Sequence, residues 1–198
     1  MHIAVIGAGI AGLTCARRLQ AQGNSVVIYE KNEEVSGRMS TRQTELGGFD
    51  HGAQYFTAGT GAFKKQAGAW RKAGLVAPWG GKLVSLEQGR AKPAGRASDD
   101  SQQRLVGVPG MGAIGRQLAQ SLDVRTGQPV TGIEAHDGQW LLRVRSATVP
   151  IAASAGPFDA VVIAVPADQA VPLLDAAPGW PEQVQQALLD PCWSIMLG

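Results

Sequence analysis

The 198-residue chain has few charged residues and few cysteines, and each shortage excludes a class of protein. Charged residues make up 17% of the chain, and 18 Lys and Arg against 16 Asp and Glu leave a net charge of +2, which is too small to indicate a nucleic-acid partner. Two cysteines, Cys15 and Cys192, cannot form a disulfide framework, and neither has the spacing of a zinc site. The composition therefore predicts reduced thiols in a cytoplasmic protein without a metal centre.

Long hydrophobic runs are also missing. No segment reaches the roughly 18 uninterrupted apolar residues that a transmembrane helix needs, so the sequence predicts no membrane association. Residues 1–16 carry no charged side chain, but no basic residues precede them, and Arg17 and Arg18 follow them instead. This order is the reverse of that in a signal peptide, so we expect no secretion signal.

Glycine, by contrast, is abundant. The 26 glycines are about 13% of the chain, nearly twice the usual share of about 7%. With an apolar fraction of 44%, this composition favours a folded protein with many tight turns and close backbone approaches over a solvated helical bundle. The length allows one domain and part of a second.

The first thirty residues have the pattern of a strand, a glycine-rich loop, a helix and a second strand. Residues 3–6 are apolar and rich in β-branched side chains without alternation, as in a strand buried on both faces of a parallel sheet. Residues 7–12 read Gly-Ala-Gly-Ile-Ala-Gly, and a helix is predicted over about 11–22. Residues 25–30 form a second apolar strand that ends on an acid.

Each special residue of this unit has a physical role in a dinucleotide site. Gly7 permits a tight turn, Gly9 permits the backbone to approach a pyrophosphate, and Gly12 permits close packing of helix and strand. The helix N-terminus offers free N–H groups to phosphates, and Glu30 is placed to accept hydrogen bonds from ribose hydroxyls. A carboxylate there repels a 2′-phosphate, which disfavours NADP. A glycine-rich packing turn would explain the glycines but not the position of Glu30.

The segment after Glu30 does not continue as an NAD dehydrogenase usually would, with another crossover helix and a third parallel strand. Residues 31–42 are polar and turn-rich, and a glycine-rich stretch over 47–56 follows. Together with the glycine loop and Glu30, residues 37–41 (Gly-Arg-Met-Ser-Thr) resemble the flavin-containing amine oxidase superfamily. Residues 50–56 (Asp-His-Gly-Ala-Gln-Tyr-Phe) are similar to a segment of its renalase-like branch.

The resemblance implies FAD as the cofactor and gives further residues a role. It implies that the Gly37-Arg38 turn lies against the diphosphate and ribityl chain. It also implies that Gln54 and Tyr55 lie close to the isoalloxazine and that the backbone at Val130 lies by the adenine. A guanidinium clamps a diphosphate through two hydrogen bonds, which agrees with this role of Arg38. The predicted cofactor-binding residues are Gly7, Ala8, Gly9, Ile10, Ala11, Gly12, Glu30, Lys31, Gly37, Arg38, Met39, Gly52, Ala53, Gln54, Tyr55, Val130 and Pro166.

Some of these positions have simpler interpretations. Arg38 can also belong to a solvated basic loop, and Tyr55 and Phe56 can be ordinary core residues. For His51 we favour a hydrogen-bonded structural histidine over a catalytic role. Ser36 stands where the family usually has glycine, which is acceptable if the φ angle at that position is not positive.

The predicted fold is an α/β, Rossmann-like FAD/NAD(P)-binding domain with a three-stranded β-meander, joined to part of a substrate domain. The resemblance is close over residues 1–57, loose over 105–175 and only positional over 58–104. It assigns 1–57 and 105–175 to the FAD-binding domain, and it assigns 58–104 and 176–198 to a partial substrate domain.

Periodicity and turn residues predict the remaining elements. The Asp-Gly pair at 137–138 predicts a hairpin turn, and a third strand of the same meander is predicted over 147–153. The predicted strands are 130–135, 139–145, 147–153 and a doubly buried strand over 158–166, and the predicted helices are 61–73, 111–121, 168–174 and 181–189.

The last residues form an unusual apolar segment. Residues 193–197 (Trp-Ser-Ile-Met-Leu) look like the start of an apolar strand with nothing after it, and an exposed strand of this kind is an aggregation hazard. The family continues well beyond its equivalent strand, so we expect this chain to be a fragment, a truncated gene product or an incompletely recorded sequence.

These expectations together describe an FAD-dependent oxidoreductase of the amine oxidase or renalase-like type. The resemblance implies that it takes a hydride from an amine or a dihydronicotinamide onto flavin N5 and passes electrons to oxygen. Its partner would be a small-molecule substrate. No general base is evident in the sequence, so no catalytic residue is assigned. Two alternatives stay open: an NAD-binding oxidoreductase, and a cofactor-binding fragment without activity.

Overall fold

The structure, a computed structural model, describes residues 1–80, 84–87, 90–93, 103–145, 153–177, 179–187 and 189–197. Within these ranges no helix has both the length and the apolar character needed to cross a membrane. The strands are β1 His2–Ile6, β2 Ser25–Tyr29, β3 Arg42–Thr44, β4 Gly47–Phe49, β5 Val76–Pro78, β6 Val84–Glu87, β7 Arg90–Pro93, β8 Leu105–Gly107, β9 Asp123–Arg125, β10 Val130–His136, β11 Gln139–Val144, β12 Ala153–Phe158 and β13 Ala160–Ile163. The helices are α1 Ile10–Ala21, α2 Gly61–Lys72, α3 Gly112–Ala119, α4 Ala167–Ala170 and α5 Trp180–Val184, with single 3₁₀ turns at Gly37–Met39 and Val171–Leu173.

Four parallel strands form the central sheet in the order β13-β1-β2-β9. Residues 3–6 of β1 are buried, which confirms the prediction from their unbroken apolar sequence. Successive side chains of a strand point to opposite faces, so the two faces of the sheet belong to different core clusters. Val5 and Ile28 pack with α1 on one face, whereas Ala4 and Tyr29 pack with the meander on the other. The predicted α/β, Rossmann-like architecture is therefore confirmed.

The antiparallel sheet β10-β11-β12 covers the second face of the parallel sheet. Its first hairpin turns at Asp137 and Gly138, whose φ angles of 49° and 76° are those of the predicted Asp-Gly turn. The third strand is Ala153–Phe158. Of its predicted range 147–153 only position 153 is described, where it lies in this strand; positions 147–152 lie outside the described residues, and the strand continues beyond the predicted end. Its register is set by Phe158, which pairs with Trp140 and packs its ring edge against Tyr29.

The strand that returns to the parallel sheet differs from its prediction. Residues 158–166 were expected to form one doubly buried strand, but β13 is Ala160–Ile163 and its residues are only half-buried. Phe158 belongs to β12 instead, and Asp159 links the two strands. The partial exposure follows from position, because β13 pairs with β1 alone and forms an edge of the described sheet.

The remaining elements agree with their predictions to varying degrees. Helix α2 has Ala67 and Trp70 buried, as its apolar spacing predicts, and α3 is shorter than the predicted 111–121. Residues 168–174 form one short helix and a 3₁₀ turn, and α5 ends well before the predicted residue 189. The prediction of a strand over 193–197 was wrong: these residues have no regular structure, and Trp193 is 94% exposed.

Candidate functional site

The loops that follow the parallel strands meet at one edge of the sheet. Gly7 follows β1, Glu30 follows β2, the loop over 126–129 follows β9, and Ala164 follows β13. Backbone hydrogen bonds join these ends: Gly7 N donates to the Tyr29 carbonyl at 2.8 Å and Ala164 N to the Ile6 carbonyl at 2.8 Å. The carboxyl edge of a parallel α/β sheet is where ligands of such folds bind.

The three predicted glycines of the first loop differ in what surrounds them. Gly7 has a φ of +102°, and a Cβ there would lie 2.8 Å from the Ala164 carbonyl oxygen. A Cβ at Gly12 would collide with the Gly7 carbonyl oxygen, so only glycine permits this close contact between helix and loop. At Gly9 nothing lies within 4 Å of the corresponding position. Gly7 and Gly12 are thus needed by the fold, whereas Gly9 opens onto free space.

The N-terminus of α1 has no side-chain cap. Gly9 is the N-cap residue in an extended conformation, no side chain accepts from the first turn, and no acidic residue lies in that turn. The first N–H groups of a helix have no partner within the helix, and the helix dipole adds a partial positive charge. The backbone at Ile10, Ala11 and Gly12 therefore provides the donors that a phosphate group needs.

Glu30 is buried at this edge and accepts three hydrogen bonds. The Ala8 backbone N–H donates to Glu30 Oε2 at 2.8 Å. The backbone N–H and the side-chain Nδ2 of Asn32 both donate to Oε1, each at 2.9 Å. Glu30 is only 5% exposed, but hydrogen bonds to both carboxylate oxygens compensate for its burial. The bond from Ala8 also links Glu30 to the glycine loop.

Ser36 and Gly37 bring the second predicted segment against the first loop. Ser36 N donates to the Ala8 carbonyl at 2.9 Å, and a Cβ at Gly37 would lie 3.2 Å from Gly9 Cα. Serine was expected to be acceptable at position 36 only if its φ angle was not positive, but Ser36 has a φ of 94°. Its side chain compensates by donating a buried hydrogen bond from Oγ to the Gly112 carbonyl at 3.0 Å.

Arg38 joins this turn to the third predicted segment through its backbone. Ala53 N donates to the Arg38 carbonyl at 2.8 Å, and a Cβ at Gly52 would collide with the same oxygen. The Arg38 side chain is exposed, as both a diphosphate clamp and a solvated loop require. Met39 and Ile10 are half-buried and pack against the cluster around Trp70.

Gln54 and Tyr55 lie on the surface beyond Ala53. Tyr55 is 40% exposed, which contradicts the interpretation of this residue as ordinary core. Its ring stacks on Trp79 with 5.7 Å between ring centroids, and the Arg104 guanidinium lies 5.2 Å from its centroid. Phe56, by contrast, packs with Phe63 and Trp70, as a core residue does.

The remaining predicted residues flank the carboxyl edge. Lys31 Nζ donates to Gln169 Oε1 at 2.9 Å, which connects the end of β2 to α4. Pro166 is the N-cap residue of α4, and Val130 begins β10 with its side chain packed against the core. These three residues therefore surround the site on the side of β13 and the meander.

Thr41 and Asp50 connect this region to α3, a role that was predicted for neither residue. Thr41 Oγ1 donates to Asp50 Oδ1 at 2.6 Å and accepts from Gly112 N at 3.0 Å. Met111 N also donates to Asp50 Oδ1 at 3.0 Å. A Thr and an Asp within polar segments give no sequence signal for such a long-range contact.

His51 has a different environment from the one expected. Its Nδ1 is buried and finds no hydrogen-bond partner in the part of the chain that the structure describes, whereas a hydrogen-bonded histidine was predicted. Within the same described residues, no group of three or more His, Cys, Asp and Glu side chains is placed to hold a metal ion.

Tyr29 ends β2 beside this edge. Burial raises the pKa of its hydroxyl above the ordinary value, Arg125 counteracts this by lowering it, and Asp123 raises it. Arg125 lies over the Tyr29 ring at 5.5 Å from the centroid. The phenol is therefore neutral at physiological pH, and Glu30 is buried beside it at the end of β2.

The fold and this edge define an α/β protein of the dinucleotide-binding class. Residues 5–68 match the model of the NAD(P)-binding Rossmann-like domain, and residues 70–190 match that of the flavin-containing amine oxidoreductases. The second match covers more than half of the chain. The chain therefore belongs to the flavin-containing amine oxidoreductase family.

Named relatives match a short part of the chain. Over 52 residues, 26% of this chain, it is 54% identical to the 4,4′-diapophytoene desaturase (4,4′-diaponeurosporene-forming) of Staphylococcus haemolyticus strain JCSC1435. The enzyme of the same name from Staphylococcus aureus strain Newman is 50% identical over 52 residues. The matched part is 10% of the length of each desaturase.

Solved structures match nearly all of the chain in fold. A putrescine oxidase variant superimposes with a TM-score of 0.69 and 15% identity, over 93% of this chain and 62% of the oxidase. A proposed protoporphyrinogen oxidase from Exiguobacterium sp. 255-15 gives a TM-score of 0.67 and 14% identity, over 92% of this chain and 63% of that protein. These similarities support the fold, and the chain spans less than two thirds of either protein.

Proposed function

We propose that this chain binds FAD at the carboxyl edge of its parallel sheet and serves an oxidoreductase that acts on a small molecule. The single observation that carries this proposal is the contrast between Gly9 and its neighbours. Gly7 and Gly12 are enclosed by backbone, whereas Gly9 faces free space beside the uncapped N-terminus of α1 and the buried Glu30. A pyrophosphate and a ribose are the groups that this arrangement recognises.

The chain's own residues would hold the cofactor in a defined order. The backbone N–H groups at the start of α1 would bind the diphosphate, Arg38 would neutralise its charge, and Glu30 would accept from the adenosine ribose. FAD, when bound, supplies a hydride acceptor. The short 36–37 turn and residues 52–53 would limit where the rest of the cofactor can lie, because they contact Gly9 and Arg38.

The proposal names two classes of substrate and no single compound. Amines and dihydronicotinamides both donate a hydride, and both are compatible with this site. Among the proteins named above, putrescine oxidase is named for an amine, which supports the amine alternative, whereas the desaturases and the protoporphyrinogen oxidase are named for other substrates. The dihydronicotinamide alternative rests on the similarity of residues 50–56 to the renalase-like branch. We propose the two substrate classes as alternatives, with oxygen as the electron acceptor.

Reconstitution of the purified chain with FAD tests the cofactor. We expect flavin absorbance to remain with the protein through gel filtration, and Glu30→Ala to weaken FAD binding roughly 10- to 150-fold, because hydrogen bonds to a charged group are lost. Glu45→Ala is the matched control, since Glu45 is exposed beside the β3–β4 hairpin turn. Equal FAD affinity in Glu30→Ala and wild type would contradict the ribose assignment.

The same preparation separates the alternatives. A colourless chain that binds NAD would favour an NAD-binding oxidoreductase over the flavin proposal. A yellow chain that is not reduced by amines or dihydronicotinamides under anaerobic conditions would favour a cofactor-binding unit without activity of its own.

A further inference from the structure

Three hydrogen bonds hold the Glu30 carboxylate, and they are divided unequally between its two oxygens. Oε2 accepts from Ala8 N, whereas both hydrogen bonds to Oε1 come from Asn32, through its backbone N and its side-chain Nδ2. A carboxylate oxygen has about two acceptor positions. Oε1 is therefore filled by Asn32, and one acceptor position remains on Oε2.

The orientation of the Asn32 side chain follows from this contact. A carboxylate oxygen only accepts hydrogen bonds, so the nitrogen of the carboxamide must face Glu30. Asn32 is exposed, and its side-chain Nδ2 donates a hydrogen bond to Glu30 Oε1. Asn32 is thus a surface residue whose amide group is used to hold a buried carboxylate.

The backbone of Asn32 is fixed by the loop after β9. Its carbonyl oxygen accepts from Gly127 N at 2.9 Å, and Gln128 N donates to the Glu30 carbonyl at 2.9 Å. Gly127 has a φ of +64°, a left-handed conformation that favours glycine at this point of the loop. The carboxamide is consequently presented to Glu30 by a constrained backbone on both sides.

We propose that Asn32 is a positioning residue of the cofactor site. Its carboxamide fixes the Glu30 carboxylate so that the free acceptor position of Oε2 is directed to one hydroxyl of the adenosine ribose. This inference rests on the proposed function, which places that ribose at Glu30. Without the Asn32 carboxamide, the Glu30 carboxylate gains rotational freedom. Binding of the ribose hydroxyl must then order the Glu30 side chain, which costs conformational entropy and lowers the affinity. The loss of affinity is therefore confined to ligands that carry the hydroxyl.

The test compares ADP with 2′-deoxy-ADP and 3′-deoxy-ADP by isothermal titration calorimetry on the purified full chain. We expect wild type to bind ADP about tenfold or more tightly than at least one deoxy analogue, as a hydrogen bond to a charged acceptor implies. Asn32→Ala is expected to reduce this ratio to about threefold or less, while the affinity for that deoxy analogue stays unchanged.

Two further variants separate positioning from folding. Asn32→Asp keeps the size of the side chain but removes the donor and places a second carboxylate beside Oε1. We therefore expect this variant also to bind ADP and the deoxy analogue with similar affinities. Asn24→Ala is the matched control, because Asn24 Nδ2 donates to the Leu19 carbonyl at 2.9 Å near the C-terminal end of α1. We expect this control to keep the wild-type ratio even where its thermal stability is lower.

Four results would overturn the inference. Asn32→Ala could retain the full ratio, or it could weaken ADP and both deoxy analogues by the same factor, which is the mark of a purely structural role. Wild type could also bind ADP and both deoxy analogues equally tightly, which would show that the ribose hydroxyls do not contact Glu30. A wild-type chain that binds none of the three nucleotides overturns the proposed cofactor site itself and this inference with it.

Discussion

Ser36 shows at the level of one residue how the chain replaces a glycine. Its φ of 94° costs about 1–2 kcal/mol for an L-residue, and its Oγ recovers part of that through the buried bond to the Gly112 carbonyl. We predict that Ser36→Ala lowers the free energy of unfolding by about 1–2 kcal/mol, because the φ cost remains and the bond is lost. Ser36→Gly loses the bond but also the φ cost, so we expect a change within about 1 kcal/mol.

Urea denaturation of the three proteins measures this order. The informative quantity is the difference between the two variants, since both lack the hydroxyl and differ only in the Cβ. If Ser36→Gly were less stable than Ser36→Ala, the positive φ would not be the source of the cost.

The contact between α3 and the Ser36 turn depends on Gly115. A Cβ at Gly115 would lie 2.7 Å from Ser36 Cβ and would collide with Ser36 Oγ. We predict that Gly115→Ala destabilises the fold by about 1–3 kcal/mol, as overpacking does, although alanine favours helix formation. Gly68→Ala on α2 is the control, because nothing lies within 4 Å of its Cβ position, and we expect it to stabilise by up to about 1 kcal/mol.

The double variant Gly115→Ala with Ser36→Gly checks the cause. Removal of the Ser36 side chain clears the space that the new methyl group needs, so the two changes should be far from additive in urea denaturation. Additive losses would show that Gly115 is required for another reason.

Asp159 joins the parallel sheet to the meander at the junction of β12 and β13. Its carboxylate accepts from His2 N at 2.7 Å and from Gln139 Nε2 at 3.0 Å, and the bond to His2 and then the bond to Gln139 lower its pKa. A carboxyl with a lowered folded-state pKa stabilises the fold above its unfolded value of about 3.9, and this contribution is lost as the pH falls through the folded pKa.

We therefore predict a pH-dependent effect of Asp159→Ala. The loss in the free energy of unfolding relative to wild type should be constant above about pH 5 and should shrink below about pH 4. Denaturant titrations at several pH values measure it, with Asp190→Ala as the control because Asp190 is exposed. A loss that is the same at pH 3 and pH 7 would mean that the ionised carboxylate contributes nothing.

Elements with strong local signals could be predicted, and those defined by distant partners could not. The glycine loop, α1 and the Asp-Gly hairpin carry their information in adjacent residues, and all three are found where expected. β9 has three residues, two of them charged, and becomes a strand only because β2 offers it a partner. The continuation of β12 from residue 153 to Phe158 was not predicted for the same reason, since its register depends on Phe158 reaching the core.

At the scale of the whole molecule, the same distinction applies to the candidate site. Spacing placed Gly7, Gly9, Gly12 and Glu30 correctly at one edge, because a strand–loop–helix–strand unit fixes their geometry locally. Asn32 could not be found from sequence: a single polar residue in a turn has no pattern. Its role depends on where Glu30 and Gly127 meet in the fold.

Cofactor binding should also stabilise the molecule as a whole, because a ligand that binds only the folded state adds RT ln(1 + [L]/Kd) to the free energy of unfolding. At an FAD concentration of 100 times Kd this is about 2.7 kcal/mol, which corresponds to a rise in Tm of roughly 5–10 °C for a protein of this size.

Glu30→Gln at the same FAD concentration should give about half that rise or less, since a tenfold weaker Kd leaves about 1.4 kcal/mol. FMN lacks the adenosine that Glu30 is proposed to hold, so it should produce a smaller shift that is equal in wild type and Glu30→Gln. Thermal unfolding followed by circular dichroism measures all four combinations. An FAD shift in Glu30→Gln as large as in wild type would show that the buried carboxylate takes no part in binding.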